Sequence, residues 1–257
     1  MRNDTVRWAI GLVAAGALLS IVGGAVATAG EAGDAAGAVK AIVLTGGHGF
    51  QKGPFLEIFK TMDGVEATHV ALKDGSEVFE DTSEWPYDVI VLYNMTQKIS
   101  EKRRKHFLAL LEKGVGLVAL HHSLAAWQAW PEFRRIIGGQ WFTKPTTIDG
   151  VRYKKSGWKG GVDYTVHVAD PEHPVTRGIE DFRIHDETYC RYWVSPKAHV
   201  ILTTDEKTSD EAIGWTRTQE GARVCYLMNG DCPRAYRNPN YRRLIANAIR
   251  WTAGKRE

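Results

Sequence analysis

Apolar and polar positions run along the chain in blocks that read as strand, loop and helix in turn. Lys40 to Thr45 is an apolar, β-branched run that ends in Gly46-Gly47-His48-Gly49, a strand entering a glycine loop. Pro54 suits the first turn of a helix reaching about Met62. Val65 to Leu72 and Tyr87 to Tyr93 predict two further strands, with a polar loop over 73–86 between them. Ser100 is an N-cap for a helix whose inner stripe is Phe107, Leu110 and Leu111, and Gly114 stops it. Leu117 to Leu120 then reads as a fully buried strand, and Leu124 to Trp130 as a helix leaving it.

The pattern loosens afterwards. A helix restarts at Pro131 and ends near Gly138-Gly139, and Trp141 to Gly161 reads as a long surface insertion rich in Lys, Gly and Thr. Val162 to Val168 alternates cleanly as a strand. Short strands are expected at 182–186, 199–204, 212–216 and 223–228, before a helix capped by Asn238-Pro239. The β-loop-α alternation of the first half predicts an α/β fold, a doubly wound and mostly parallel sheet. The C-terminal half adds extra strands to it.

The N-terminus changes the domain picture. Arg2 and Arg7 precede a charge-free apolar segment from Trp8 to Ala27, and Ala25-Val26-Ala27 and Ala27-Thr28-Ala29 fit small-x-small cleavage sites. Residues 1–29 are therefore expected to be a signal peptide, with a retained anchor as the alternative, and 30–39 a linker to one domain at 40–254. Either way the domain is expected outside the cytoplasm. The formal charge of +3 falls to about +2 without the leader, too balanced to suggest nucleic acid. A membrane is a partner only if the apolar segment is retained. Cys190, Cys225 and Cys232 have no metal-type spacing, and disulfides do not hold this fold.

Candidate chemistry gathers at the turn after Leu120. A strand-to-helix elbow lies at the carboxyl edge of a parallel sheet, where ligands bind, and a helix N-terminus there would stabilise an oxyanion. That dipole would also hold His121 in its neutral, basic form. Ser123 lacks the flanking glycines of G-x-S-x-G, and no cysteine lies near an elbow, so the nucleophile classes fall away. His121 is left as a candidate general base, or as a histidine bonded within its loop. His122, pointing elsewhere, is a weaker binding candidate. Gly47 and His48 belong to a loop on the same edge, which carries no phosphate-binding motif.

His185-Asp186-Glu187-Thr188-Tyr189 puts an imidazole, two carboxylates and a phenol at a strand end. Asp186 or Glu187 would orient the base or ligate a metal, with Tyr189 beside them; a salt-bridged turn is the competing reading. A divalent metal built from separate loops stays open, since no H-E-x-x-H fixes its ligands. The chain has nine tryptophans, and rings such as Trp127 suit a sugar.

With these pieces assembled, the chain resembles the trehalose-utilisation (ThuA-like) family. The matching stretches are Lys40 to His48, Gly116 to His121, Ile137 to Phe142, His173 to Gly178, Asp186 to Tyr189 and Ile249 to Gly254. The resemblance implies a flavodoxin-like sheet of the class I glutamine-amidotransferase-like superfamily and a part in glycoside or disaccharide catabolism. His121 takes the elbow place that amidotransferases give to cysteine, so the chain is not expected to be a glutamine amidotransferase. Asp186 and Glu187 match the family's acidic pair. Asn229-Gly230-Asp231 stands where many members have Gly-His, and Thr143-Lys144-Pro145 replaces a His-Pro. The leading expectation is an exported protein that performs acid–base chemistry on a sugar derivative, with His121 as base. A non-catalytic carbohydrate-binding module and a metal-dependent hydrolase are the alternatives. A homo-oligomer stays open.

Overall fold

The computed structural model describes residues 37–73 and 75–254. The expected leader over 1–29 and most of the linker lie outside the described residues. The first half alternates as β1 (Val39–Gly46), α1 (Lys52–Lys60), β2 (Val65–Ala71), β3 (Val89–Asn94), α2 (Glu101–Glu112) and β4 (Gly116–Leu120). β1 pairs in parallel with β2 on one side and β3 on the other, and β3 pairs with β4. β3 and β4 are buried along their whole length, which is why each reads as an unbroken apolar run. The Ser100 side chain accepts from the Arg103 N–H and starts α2 as expected.

The second half is built differently. After α3 (Pro131–Ile137) come β5 (Gly139–Gln140), β6 (Thr146–Ile148), β7 (Val151–Tyr153), β8 (Gly157–Val168) and β9 (Phe182–Cys190). β10 (Trp193–Val194), β11 (His199–Thr203), β12 (Ala212–Gln219) and β13 (Ala222–Leu227) come next, then α4 (Pro233–Tyr236) and α5 (Pro239–Thr252). β13 returns to pair in parallel with β4. The sheet order is therefore β2-β1-β3-β4-β13-β12-β11-β8-β9. Its first five strands are parallel in the flavodoxin order, and the other four are antiparallel additions. This is the expected fold, including its extra C-terminal strands.

One expectation is corrected here. Residues 141–161 are not an unstructured insertion: β6 and β7 form a hairpin, and β8 already begins at Gly157. Asp149-Gly150 is the reason. Both residues have positive φ, 49° and 82°, which is the turn a two-residue hairpin needs. β8 is also longer than its alternating part, because a bulge between Lys159 and Val162 interrupts the pattern without ending the pairing to β9.

Candidate functional site

At the end of β4 the chain does turn sharply, and His121 carries the turn. Its φ is 49°, a left-handed conformation that non-glycine residues rarely adopt. The Tyr226 hydroxyl donates to the His121 carbonyl at 3.0 Å, and the Ser123 hydroxyl to the Leu120 carbonyl at 2.8 Å. The chain leaves β4 in a 3-10 turn over His121–Ala125, not in the expected helix from Leu124 to Trp130. Trp127 explains the difference. It has φ 44°, its ring packs edge-on against Phe79, Phe107 and Phe133, and its Nε1 donates to the Ser76 hydroxyl at 3.0 Å. Trp127 is thus a core residue, not a substrate-binding ring. With the helix gone, so is the dipole expected to stabilise an oxyanion.

The His121 imidazole is fully buried. Its Nδ1 lies 2.7 Å from the Met228 carbonyl, which can only accept, so Nδ1 carries a hydrogen. Nε2 is left to face the Tyr189 hydroxyl at 2.9 Å, Asp231 at 3.5 Å and Glu187 at 3.6 Å. Burial pulls the His121 pKa down, but Asp231, Asp186 and Glu187 together outweigh it and raise the pKa above the ordinary value. The expected direction of the shift is thereby reversed, since carboxylates stand where a helix dipole was assumed.

Asp186 and Glu187 leave β9 on opposite sides, as neighbours in a strand must. Asp186 is buried and accepts the N–H groups of Gly230 at 2.6 Å and Asp231 at 2.9 Å. It fixes the loop after β13 and so positions Asp231. Glu187 instead lines a cavity of about 440 Å³ together with Tyr189, Asp231, His48 and His122. Trp141 and Trp158 also line it. That volume suits a small organic ligand. Burial raises the Glu187 pKa, whereas its hydrogen bond to His121 lowers that of Asp231. Two carboxylates on one imidazole are pushed in opposite directions.

His122 is buried between His48, 4.5 Å away ring to ring, and Tyr93 at 4.3 Å. Burial holds its pKa well down, so it is neutral, and neither ring nitrogen has a protein partner. Gly47 does not line the cavity but shapes the loop that presents His48. At φ 73° a Cβ on it would lie 2.5 Å from the Met95 carbonyl carbon, so only glycine fits.

The structure thus gathers His48, His121, His122, Glu187 and Tyr189, keeps Asp186 behind them, and sends Trp127 to the core. Sequence reasoning missed Asp231 as a site residue, and had Trp141 and Trp158 only among the tryptophans that cannot all be core. Asp231 had a signal: it comes after β13, which ends on the same sheet edge as β4. His121, Glu187 and Asp231 also offer three ligand atoms within 4.8 Å of one another, a nitrogen and oxygen set that fits zinc or manganese.

Known structures share this architecture. A ThuA-like protein from Parabacteroides merdae superposes with a TM-score of 0.70 at 21% identity, over 85% of this chain and 91% of that one. A ThuA-like protein from Bacteroides uniformis gives 0.62 at 20%, over 86% and 94%. PurLQS from Thermotoga maritima gives 0.53 at 15%, over 83% and 99%. At such identities the likeness establishes the amidotransferase-like fold alone. No curated protein matches the chain in sequence. The family model for trehalose utilisation matches residues 40–252, nearly all of the described chain, and supports a role in sugar metabolism. The chain belongs to the ThuA family.

Proposed function

We propose that the protein acts on a sugar derivative held in the cavity, by proton transfer at Glu187. The observation that carries this reading is geometric: Glu187 and Asp231 both line the cavity and both lie within 3.6 Å of the buried His121 Nε2, in surroundings that displace their acidities in opposite directions. Carboxylates separated in this way divide proton-transfer roles between them. Burial makes Glu187 a stronger base than an exposed carboxylate, and it lines the cavity. On a sugar oxidised to a ketone, it takes the proton from the carbon beside the carbonyl, and the C–H electron pair moves into an enolate. Asp231, kept ionised, accepts a sugar hydroxyl. His121, behind them, orients both carboxylates and holds a proton against Tyr189. The base role falls to Glu187 rather than His121 because only Glu187 reaches the cavity.

The test uses trehalose, other disaccharides and their keto derivatives, followed by NMR. Exchange of the proton beside the carbonyl, or a new product, supports the reading, and Glu187→Gln should abolish it. Binding without exchange or product points to a carbohydrate-binding module instead. A second reading rests on the three ligand atoms and on Nδ1 being fixed by a carbonyl, as in metal-bound histidines. It makes the protein a metal-dependent hydrolase. Stoichiometric zinc or manganese in the purified protein supports it, and full turnover after chelation removes it.

We also propose export, on the strength of the apolar segment from Trp8 to Ala27 and its small-residue cleavage sites. Mass spectrometry of the mature N-terminus in an extracytoplasmic fraction tests this, and a full-length cytoplasmic chain counts against it.

A further inference from the structure

Among the described residues only two large hydrophobic side chains are exposed, and one of them, Trp158 at 65%, lines the cavity. Its position is fixed by the sheet. Trp158 on β8 stands directly opposite Tyr189 on β9, the residue whose hydroxyl touches His121. Cross-strand partners share a face, so Trp158 stands on the same side of the β8–β9 pair as Tyr189, and both line the cavity. Just beyond Trp158 the β8 bulge begins at Lys159. Gly160, in that bulge, separates the indole from the carboxylate: a Cβ there would lie 3.8 Å from the Trp158 ring and 3.9 Å from Glu187 Oε2.

We propose that Trp158 is a stacking platform for the second ring of an oligosaccharide whose first ring sits over Glu187 and Asp231. The inference rests on the sugar reading above. The lining chemistry narrows the ligand. Lys and Arg are missing from the residues that line the cavity, and two carboxylates are present, which disfavours a phosphate. A pyranose suits it on both sides, its hydroxyls donating to Glu187 and Asp231 and its C–H face lying on the indole. The platform thus makes the site select disaccharides over free monosaccharides.

Calorimetric titration of the full chain with trehalose, cellobiose and glucose tests the proposal. At least one disaccharide is expected to bind about tenfold more tightly than glucose, the size of a good aromatic contact. Trp158→Ala should remove that excess and leave glucose unchanged, whereas Trp158→Phe keeps most of it. Gly160→Ala, whose methyl fills the gap between platform and carboxylate, should weaken the disaccharide more than glucose. Unaltered disaccharide affinity in Trp158→Ala overturns the platform while leaving the sugar reading standing. A wild-type protein that binds choline but no saccharide overturns both, since an indole beside carboxylates also suits a cation. Loss of a dimer in Trp158→Ala, seen by sedimentation, would instead make Trp158 an interface residue and end the proposal.

Discussion

The parallel half of the sheet supplies the cavity with histidines, and the antiparallel half supplies most of its rings and Glu187. His48 follows β1, and His122 follows β4, which is buried along its whole length, with His121 beneath the cavity at the turn between β4 and His122. Glu187, Tyr189 and Trp158 sit on the β8–β9 pair at the far end of the strand order, which reaches back over the elbow. Asp231, after β13, joins the two. On the parallel half His121 and His122 are packed into the core, whereas His48 is exposed. Antiparallel-half residues border open space. A substitution in the first region should therefore register in stability, and one in the second in chemistry.

His121→Ala against Glu187→Gln is the sharpest way to break that contrast. Removing the buried imidazole leaves Asp186, Glu187 and Asp231 without their common partner, and a broken buried ion pair costs about 3–5 kcal/mol. Urea denaturation should show a loss of that order. Glu187→Gln should unfold close to the wild type and lose about 100-fold or more in turnover. If both variants lose rate while keeping stability, the two regions do not divide the work in this way.

Asp186 tests the boundary between them. It stands on the antiparallel half, next to Glu187, yet it faces the core and accepts two backbone N–H groups. Asp186→Ala strands both donors, and each unpaired buried group costs about 1–3 kcal/mol. A stability loss of about 2–4 kcal/mol is expected by the same reasoning, with reduced activity because Asp231 loses its placement. Thermal unfolding that matches the wild type would return Asp186 to the cavity.

These assignments show where sequence was readable. The parallel strands were legible because β3 and β4, buried on both faces, announce themselves as Val, Ile and Leu runs, and the loops that follow such strands must fall on one edge. His48 and His121 were placed by that shared edge. The Asp186-Glu187 pair was visible too, but not which carboxylate faced the ligand, since alternation assigns opposite faces without naming them. Trp127 misled because a tryptophan just past an elbow has the same letters whether it lines a cavity or fills a core. Its neighbours Phe79 and Phe107 lie too far away in sequence to be paired with it by spacing. Asp231 and Trp158 depend on the return of β13 to β4 and on a bulge, both of them tertiary features.

Acidity offers a subtler check, since the two groups on either side of the contact titrate in opposite senses. Asp231 is held below the usual carboxylate range by its hydrogen bond to His121. Its stabilisation is thus present above the unfolded-state value of about 3.9 and is lost as pH falls through the lower folded value. The His121 pKa is raised, so its contribution is complete below about 6.5 and fades as pH rises through the folded value. Unfolding free energies of wild type and Asp231→Asn across pH 3 to 9 should converge at the acid end. Parallel curves throughout would mean that Asp231 and His121 are not coupled.

The smallest expected effect lies away from the cavity, in the β6–β7 hairpin that reads as an insertion. Neither strand lines the cavity, and the tip conformation rests on Asp149 and Gly150. At φ 82° alanine is strained even though open space surrounds the position. Gly150→Ala should therefore cost about 1 kcal/mol in thermal or urea unfolding and leave sugar affinity and turnover unchanged. A change in affinity would mean that the hairpin feeds into the adjoining β8, where Trp158 is carried, and that the antiparallel half moves as one piece. Unchanged affinity with the stability loss would confine the ligand-sensing part of that half to β8 beyond Gly157 and to β9.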